Sequence, residues 1–280
     1  MTDAASSGHI GFFASARSGL GHLQRVGNIA SALRCQGFAG RLSRRVKNGP
    51  SPKWLQERLL AIGLRPISTL VDITNLVTFD LGRPLHVFDA DLVKGDIQVR
   101  LGRVGEKFEA LDGETYEMSG EECVIADDGG AQGFGGVMGG QSNGVSEETT
   151  NVFIESAWFD PVRTARTGRL HGIDSDARYR FERGVDPESV AWGIKVAARL
   201  VTDLCGGEPS EVVTCGEIPD LRRTVTLRAS RVKALGGVDV AESEILRILS
   251  ALGFEVSGDG DAISAVVPSW RLDVDGEAAL

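Results

Sequence analysis

The sequence of 280 residues predicts an α+β protein. Residues 95–155 contain short β-type runs separated by turns, which is typical of a sheet-rich domain. Residues 51–64 and 190–204 instead repeat apolar side chains at helical spacing. Strands and helices do not alternate regularly along the chain, so a parallel sheet built from repeated βα units is not indicated.

The first predicted elements are a strand, a glycine turn and a helix within residues 9–34. The strand covers Ile10–Ala14, and apolar residues at helical spacing, Ala30 among them, predict the helix. The G-x-G-H sequence that begins at Gly19 resembles the first βα unit of glycosyltransferases that bind nucleotide sugars. No further βα unit follows, and a lone unit cannot bury both of its faces. A glycosyltransferase is therefore a minor alternative.

A helix is predicted next, at residues 51–64. Ser51 is its expected N-cap, a proline takes the first helical position, and Gly63 marks its end. The β-branched run that follows predicts a strand, with Thr74 and Asn75 at its end.

Four further strands are predicted in the sheet-rich region, at DIQVRLGR, EKFEAL, ECVIADD and NVFIESA. The helix Val190–Leu204 comes after them, and we place a domain boundary near Pro219. The tail predicts the strand TVTLRA, a helix over Asp239–Leu252 and the hairpin FEVSGDGDAISAVV. Because the sequence stops within a further element, we expect this last domain to be incomplete.

The composition is that of an ordinary globular protein, 42% hydrophobic and 25% charged. Neither a run of about 18 apolar residues nor a signal peptide is present, so we expect no membrane partner and a cytoplasmic location. The four cysteines are scattered without a C-x-x-C pair, which indicates neither a zinc site nor a disulfide framework.

The net charge of −9 argues against a protein that coats nucleic acid. Basic residues cluster locally at residues 41–47 and 163–183. They are either ordinary solvated charges or a local contact for nucleic acid on one face.

Five glycines occupy eight positions in GFGGVMGG, residues 133–140. The P-loop pattern fails because Gln141, not lysine, follows Gly140, and the dinucleotide pattern fails because Met138 stands at its last glycine. The segment is therefore the wall of a site for another ligand, or a tight turn.

Seven stretches together resemble the beta subunit of bacterial phenylalanyl-tRNA synthetase. In chain order they are SPKWLQERLLAIGLRPISTLVDITN, LGRPLHVFDAD, LDGE, GGVMGG, IESAWFDP, HGIDSDARYRFERGVDP and VPSWRLD. The likeness runs from about Cys35 to the end of the sequence. It implies a mixed α/β tRNA-editing domain with a sheet-rich core at residues 35–218, followed by an incomplete, small winged-helix-like domain at residues 219–280.

In that family the editing domain removes tyrosine wrongly attached to tRNA(Phe). An apolar synthetic site rejects an analogue with one added hydroxyl only weakly, so a second site that recognises the hydroxyl is useful. The resemblance implies two partners, the aminoacyl end of tRNA(Phe) and the synthetase alpha subunit. It implies ATP and magnesium for the complete enzyme and no cofactor for this chain.

The resemblance makes Glu155 the acceptor for the tyrosine hydroxyl and places His86 in the pocket as the group that orders the tRNA end or a water. From the residues alone, Glu155 on an alternating strand is equally compatible with a solvent-facing side chain, and His86 with a structural role. Thr74 and Asn75 are pocket residues by resemblance, or else only turn residues. The remaining implied lining residues are Gly136, Val137, Met138, Gly139, Ser175 and Ala177.

The sequence departs from the family pattern at several positions. Asp273 matches the first carboxylate of a magnesium-binding stretch, but the next acidic position is Ala279, so the set of ligands is incomplete. Arg178 stands where serine is common. Since no nucleophile motif is present, we expect hydrolysis by a positioned water with help from backbone N–H groups and a ribose hydroxyl. The alternative is a non-catalytic RNA-binding or structural remnant.

Overall fold

The computed structural model describes residues 30–31 and 37–280. The predicted strand Ile10–Ala14 and most of the helix after it lie outside these residues. Ala30, which helical spacing assigned to that helix, instead forms a short strand with Ser31 that pairs in parallel with residues 98–99. Pairing with a distant strand is a non-local contact, and helical spacing in the sequence carries no information about it.

The described residues form seven α-helices, a short 3-10 helix (Glu277–Ala279) and fifteen strands, and the α+β class predicted from the sequence is confirmed. None of these helices combines the length and the apolar character needed to cross a bilayer. The helices are α1 (Lys53–Ala61), α2 (Thr69–Leu81), α3 (Pro161–His171), α4 (Asp176–Phe181), α5 (Ser189–Cys205), α6 (Ala229–Gly236) and α7 (Glu242–Ala251).

Most strands are short, as the sequence predicted. They are β1 (Ala30–Ser31), β2 (Phe38–Arg44), β3 (His86–Asp89), β4 (Gln98–Leu101), β5 (Lys107–Glu109), β6 (Thr115–Glu117), β7 (Cys123–Asp127), β8 (Gly130–Phe134), β9 (Met138–Gly139), β10 (Asn151–Ala157), β11 (Glu208–Pro209), β12 (Val213–Cys215), β13 (Thr224–Leu227), β14 (Glu255–Ser257) and β15 (Ile263–Val266).

The chain divides into two compact units. The first runs to Gly184 and resumes over Ser189–Ile218, and the second combines Val185–Glu188 with Pro219–Leu280.

The first unit contains an antiparallel sheet in the order β11-β2-β10-β3, and β12 also pairs with β2. Helix α5 packs against β10 and β2, and α2 packs against α5. Strand β10 is buried along most of its length because it lies between β2 and β3 under this helical layer.

A second sheet in the same unit has the order β1-β4-β7-β8-β9, and β5 pairs with β6 beside it. Its apolar face forms a core around Phe108, Met118, Val124 and Phe134. The glycine-rich segment forms β8, β9 and the turn that joins them, with Val137 donating to the Phe134 carbonyl at 3.0 Å.

The strand predicted across Thr74 and Asn75 is wrong, because this stretch is helix α2. Leu70, Ile73 and Val77 are buried at helical spacing, and Gly82 ends the helix in the left-handed region with φ 64°. Packing against α5 outweighs the weak β preference of the β-branched residues.

The predicted cap of the first helix is also wrong. Pro52 occupies the cap position of α1, and no side chain caps the helix. Ser51 instead donates its hydroxyl to the buried carboxylate of Asp72 at 2.5 Å, and the Ile67 amide donates to the same carboxylate at 2.9 Å. A buried carboxylate requires hydrogen-bond donors, and Ser51 supplies one to Asp72 of α2. This hydrogen bond connects the start of α1 to α2.

The second unit has a three-stranded antiparallel sheet in the order β13-β15-β14, with α6 and α7. The predicted strand and hairpin are confirmed, and the predicted helix Asp239–Leu252 is the slightly shorter α7. Helix α6 was not predicted. The apolar core of this unit includes Leu227, Ile245, Leu249 and Ile263.

Candidate functional site

A cavity of about 80 Å³ lies beside the start of β3, the middle of β10 and the turn between β8 and β9. This volume holds several water molecules. Most of its lining is apolar, and Glu155 and His86 are the ionisable groups among the described residues that line it. The apolar part of the lining includes Leu85, Phe88, Ile125, Phe134, Phe159 and Phe181.

Glu155 is buried in the middle of β10, with 6% of its surface exposed. Gly40 of β2 lies opposite it on one side and His86 of β3 on the other. None of the described residues donates a hydrogen bond to its carboxyl group. Burial raises the pKa of Glu155 to about 8, against the opposing charge of Arg83. The alternative of a solvent-facing Glu155 is therefore excluded, and an unused polar group faces the cavity.

His86 begins β3 and packs its ring edge-on against Phe88, with centroids 4.4 Å apart. Its Nε2 atom is buried and has no hydrogen-bond partner among the described residues. Burial lowers the pKa of His86 to about 4, so the imidazole is neutral at pH 7. A neutral imidazole next to a cavity can accept or donate one hydrogen bond to a water or a ligand.

The glycine segment forms one wall of the cavity through residues that include Gly135, Gly136, Val137, Met138 and Gly139. Two of these glycines also make room for the protein's own rings. A Cβ atom at Gly139 would lie 2.4 Å from Cε1 of His86, and one at Gly136 would lie 2.8 Å from the ring of Phe159. Gly136 has φ +72°, a conformation that side-chain-bearing residues rarely adopt. The segment is thus both a tight turn and part of the cavity wall.

Ala177 of α4 lines the cavity, but Ser175 does not. Ser175 is the N-cap of α4: its hydroxyl accepts from the amide of Arg178 at 3.1 Å and donates to the carbonyl of Val137 at 2.6 Å. The serine thereby fixes the glycine turn to the start of α4 and acts on the cavity wall from behind.

Arg178 is held by protein groups. Its Nε donates to Glu182 at 2.9 Å, its Nη1 donates to the Ile173 carbonyl, and its side chain covers Gly168. A Cβ atom at Gly168 would lie 2.2 Å from that Nε. Arg178 is therefore a structural link between α3 and α4.

Thr74 and Asn75 do not reach the cavity lining. Both lie on α2, where the Thr74 hydroxyl donates to the carbonyl of Val71 at 2.7 Å. The structure thus brings together seven of the ten predicted site residues and leaves out Thr74, Asn75 and Ser175.

Several lining residues were missed by the sequence reasoning. Phe159 lies just before α3, Phe181 is the last residue of α4, and Gln132 lies on β8. Each lies within or next to a quoted motif, but an aromatic residue in a motif reads equally well as core. Only the pairing of β10 with β3 and the packing of α4 bring them to one cavity.

The residues near Asp273 do not fit a magnesium site. The carboxylate of Asp273 accepts two hydrogen bonds from Arg271, at 2.8 and 2.9 Å, and these hold its pKa below the ordinary value. Within the described part of the chain no three His, Cys, Asp or Glu side chains are grouped as metal ligands. A hard divalent cation requires several oxygen ligands, so a single ion-paired carboxylate does not make a site.

Comparison with known proteins gives two domain matches. Residues 34–206 match the B3/4 domain, and residues 225–280 match the tRNA synthetase B5 domain. The chain is 57% identical over 246 residues to a phenylalanine–tRNA ligase beta subunit from Mesorhizobium japonicum, and 56% identical over 245 residues to one from Rhodospirillum rubrum. These alignments cover 88% and 87% of this chain and 31% of each relative.

The chain therefore spans about 31% of the length of the curated relatives that it matches. A solved N-terminal fragment of the phenylalanyl-tRNA synthetase beta subunit from Pyrococcus horikoshii aligns with a TM-score of 0.37 and 14% identity, over 85% of this chain and 66% of that one.

Proposed function

The chain belongs to the B3/4 domain family, in the form found in phenylalanine–tRNA ligase beta subunits, and we propose that it hydrolyses tyrosyl-tRNA(Phe). The observation that carries the proposal is the buried carboxyl group of Glu155, which faces a largely apolar cavity and receives no hydrogen bond from the described residues. His86 on the neighbouring strand supplies the second ionisable group of this cavity.

Glu155 supplies the preference for tyrosine over phenylalanine. The phenol of a bound tyrosine donates to the carboxyl oxygen, while the aromatic ring contacts side chains such as Phe159 and Phe181. A bound phenylalanine would displace water from the carboxyl group and give it no partner. Leaving a buried acceptor unpaired costs about 1–3 kcal/mol, which corresponds to a preference of about fivefold to about 150-fold.

Hydrolysis itself needs no protein nucleophile, because the aminoacyl ester is already activated. The oxygen of a water attacks the ester carbonyl, the bond to the terminal ribose oxygen breaks, and that oxygen takes up a proton as free tyrosine leaves. The neutral imidazole of His86 positions the water, and backbone N–H groups of the glycine turn stabilise the oxyanion. A hydroxyl of the terminal ribose assists the proton transfer.

The helix pair α3–α4 supplies the contact with RNA. Residues 161–184 contain six arginines and three acidic residues in a chain of net charge −9. Arg166 and Arg169 are exposed on α3, one turn apart, and neither forms an ion pair with a described residue. Because α3 follows Phe159 and α4 carries Ala177, both helices begin next to cavity residues. Phosphate groups of the tRNA acceptor end would bind here.

The wider activity belongs to the same proposal. In the intact ligase this segment would act together with an alpha subunit that uses ATP and magnesium to charge the tRNA. The segment itself would need neither, and it would work in the cytoplasm, where charged tRNA is used.

The proposal is tested by incubating the purified chain with tyrosyl-tRNA(Phe) and with phenylalanyl-tRNA(Phe) and following release of the amino acid. We expect faster release of tyrosine, and a lower rate with both substrates for His86→Ala. Glu147→Gln, which changes an exposed carboxylate, is the matched control.

The main alternative is a non-catalytic RNA-binding or structural remnant. Binding of tRNA(Phe) without any release of tyrosine above the spontaneous rate would support that alternative and overturn the hydrolase.

A further inference from the structure

Arg83 is a fully buried arginine next to the cavity, with 0% of its surface exposed. It follows the end of α2 and precedes Pro84, which lines the cavity. Burying a guanidinium group costs several kcal/mol unless hydrogen bonds and nearby groups compensate. A position of this kind therefore calls for a specific role.

The hydrogen bonds of Arg83 join the two strands that carry the site. Its Nε donates to the carbonyl of Pro84 at 3.2 Å, and its Nη2 donates to the carbonyl of Ala157. Pro84 lies two residues before His86, and Ala157 lies two residues after Glu155. The guanidinium group thus connects the start of β3 to the end of β10 at the point where these strands present their polar side chains.

Two further contacts fix the side chain. The Nη1 atom donates to the Ser189 hydroxyl at 2.9 Å, and Cζ lies 5.4 Å from the ring centroid of Phe181, which lines the cavity. Gly193 of α5 makes room for the aliphatic stem, since a Cβ atom there would lie 2.8 Å from Cγ of Arg83. The arginine is therefore built into the wall behind the cavity.

We propose that Arg83 is a positioning residue for the editing reaction: its hydrogen bonds hold the strand ends that carry Glu155 and His86, and its buried positive charge acts on the Glu155 carboxyl group. The inference rests on the proposed function for its consequence in catalysis. Its effect on Glu155 can be measured without any substrate.

The other groups on the elements packed against β10 do not supply this charge. On α5 the charged residues Lys195, Arg199 and Asp203 are exposed. On β3 the facing residue is His86, which is neutral at pH 7 because burial lowers its pKa to about 4. On β2 the facing residue is Gly40, and the glycine turn carries no ionisable side chain. Arg83 opposes the effect of burial on the pKa of Glu155, which lies at about 8. Removing the arginine charge would raise that pKa further.

The test is a titration of Glu155 in the full chain without tRNA, by carbon-13 NMR of glutamate carboxyl groups assigned with Glu155→Gln. We expect a midpoint near 8 for the wild type. For Arg83→Met, which keeps an apolar stem and removes the charge, the midpoint moves up by about one unit or more. Ser189→Ala, which removes one hydrogen-bond partner and keeps the charge, is the matched control and moves it by less than half of that shift.

The pH profile of tyrosyl-tRNA deacylation should move with the titration. An unchanged Glu155 midpoint in folded Arg83→Met would overturn the inference. If that variant does not fold, Arg83→Lys decides: a midpoint close to wild type supports the role of the charge, and a rise of about one unit contradicts it. A shifted midpoint in a chain that deacylates nothing would leave the electrostatic role standing and overturn the proposed function.

Discussion

Glu155 on β10 lies directly opposite His86 on β3, so a carboxyl group and an imidazole share one cross-strand position in the cavity wall. Burial acts on them in opposite directions: it raises the pKa of Glu155 to about 8 and lowers that of His86 to about 4. Between these values both side chains are uncharged. The cavity therefore offers hydrogen-bonding groups without net charge, which suits an uncharged phenol.

Glu155→Ala should remove the preference for tyrosine. The variant lacks the buried oxygen that pairs with the phenol, so we expect the ratio of kcat/KM for tyrosyl-tRNA to that for phenylalanyl-tRNA to fall about tenfold or more. Total hydrolysis of phenylalanyl-tRNA should fall much less. Deacylation assays with both substrates measure the ratio, and Glu147→Ala on the exposed surface is the control. An equal loss for the two substrates would contradict the specificity role.

Glu155 should also make the fold less stable as pH rises. Its pKa in the folded state, about 8, lies above the ordinary 4.5. The folded state therefore binds the proton more tightly, and the associated stability is complete below pH 4.5 and is lost as pH rises towards 8. The loss amounts to roughly 1.4 kcal/mol per pH unit in this window.

Glu155→Gln removes this dependence, because its side chain does not titrate. We expect its advantage in free energy of unfolding over the wild type to grow between pH 5 and pH 8, as measured by urea unfolding at fixed ionic strength. The contribution of His86 cancels in the comparison, since both proteins contain it. If the free energies of unfolding of the two proteins change in parallel with pH, Glu155 is not held in its protonated form.

Gly139→Ala should displace His86. The new Cβ atom would lie 2.4 Å from Cε1 of the imidazole, so the ring must move away from its place in the cavity wall. A displacement of about 1 Å in a positioning group can reduce a rate by about a hundredfold. We expect a loss of deacylation of this order, a shifted His86 ring signal in NMR spectra and an intact fold.

Gly49→Ala is the control for that change, because a Cβ atom at Gly49 meets nothing within 4 Å. It should leave both the rate and the His86 signal unchanged. Normal deacylation by folded Gly139→Ala would contradict this prediction. The close packing of Gly139 against His86 would then matter for the turn and not for the reaction.

Reversing the charges of Arg166 and Arg169 to glutamate should weaken binding of tRNA. Both side chains are exposed on α3, so the change leaves the core of the domain untouched. We expect a higher KM with nearly unchanged kcat, and a shallower dependence of binding on salt by about one to two counterions.

The control for charge reversal changes Arg65 and Lys195 to glutamate, which alters the net charge by the same amount on other exposed surfaces. If both double variants raise KM equally, the effect comes from the overall charge of the chain, and the helix pair α3–α4 is not the contact.

Local pattern predicted most elements of the fold but not the contacts between them. Helix α2 shows why: its Thr, Val and Ile residues favour a strand, yet Leu70, Ile73 and Val77 fall on one helical face that packs against α5. Helix α6 was missed because none of its residues is buried, and so it has no apolar periodicity strong enough to see.

The candidate site required more than local pattern. Glu155 and His86 are far apart in the sequence and meet only through the register of β10 with β3. The family resemblance named both residues, whereas the residues alone left each with an ordinary structural explanation. The sequence did not predict Arg83 as a site residue, because an arginine beside a proline is typical of a surface turn. Only the structure shows that it is buried.

Strand β2 has a consequence for anyone who wishes to shorten or recombine this segment. It pairs with β10 on one side and with both β11 and β12 on the other. Strand β2 therefore joins elements that lie far apart in the sequence. If the segment began after Arg44, β2 would be missing and the edge of β10 would be exposed to water and to other chains. Glu155, which pairs with Gly40 of β2, lies on that edge. A segment chosen for transplantation must therefore begin before Phe38, so that it contains the whole of β2.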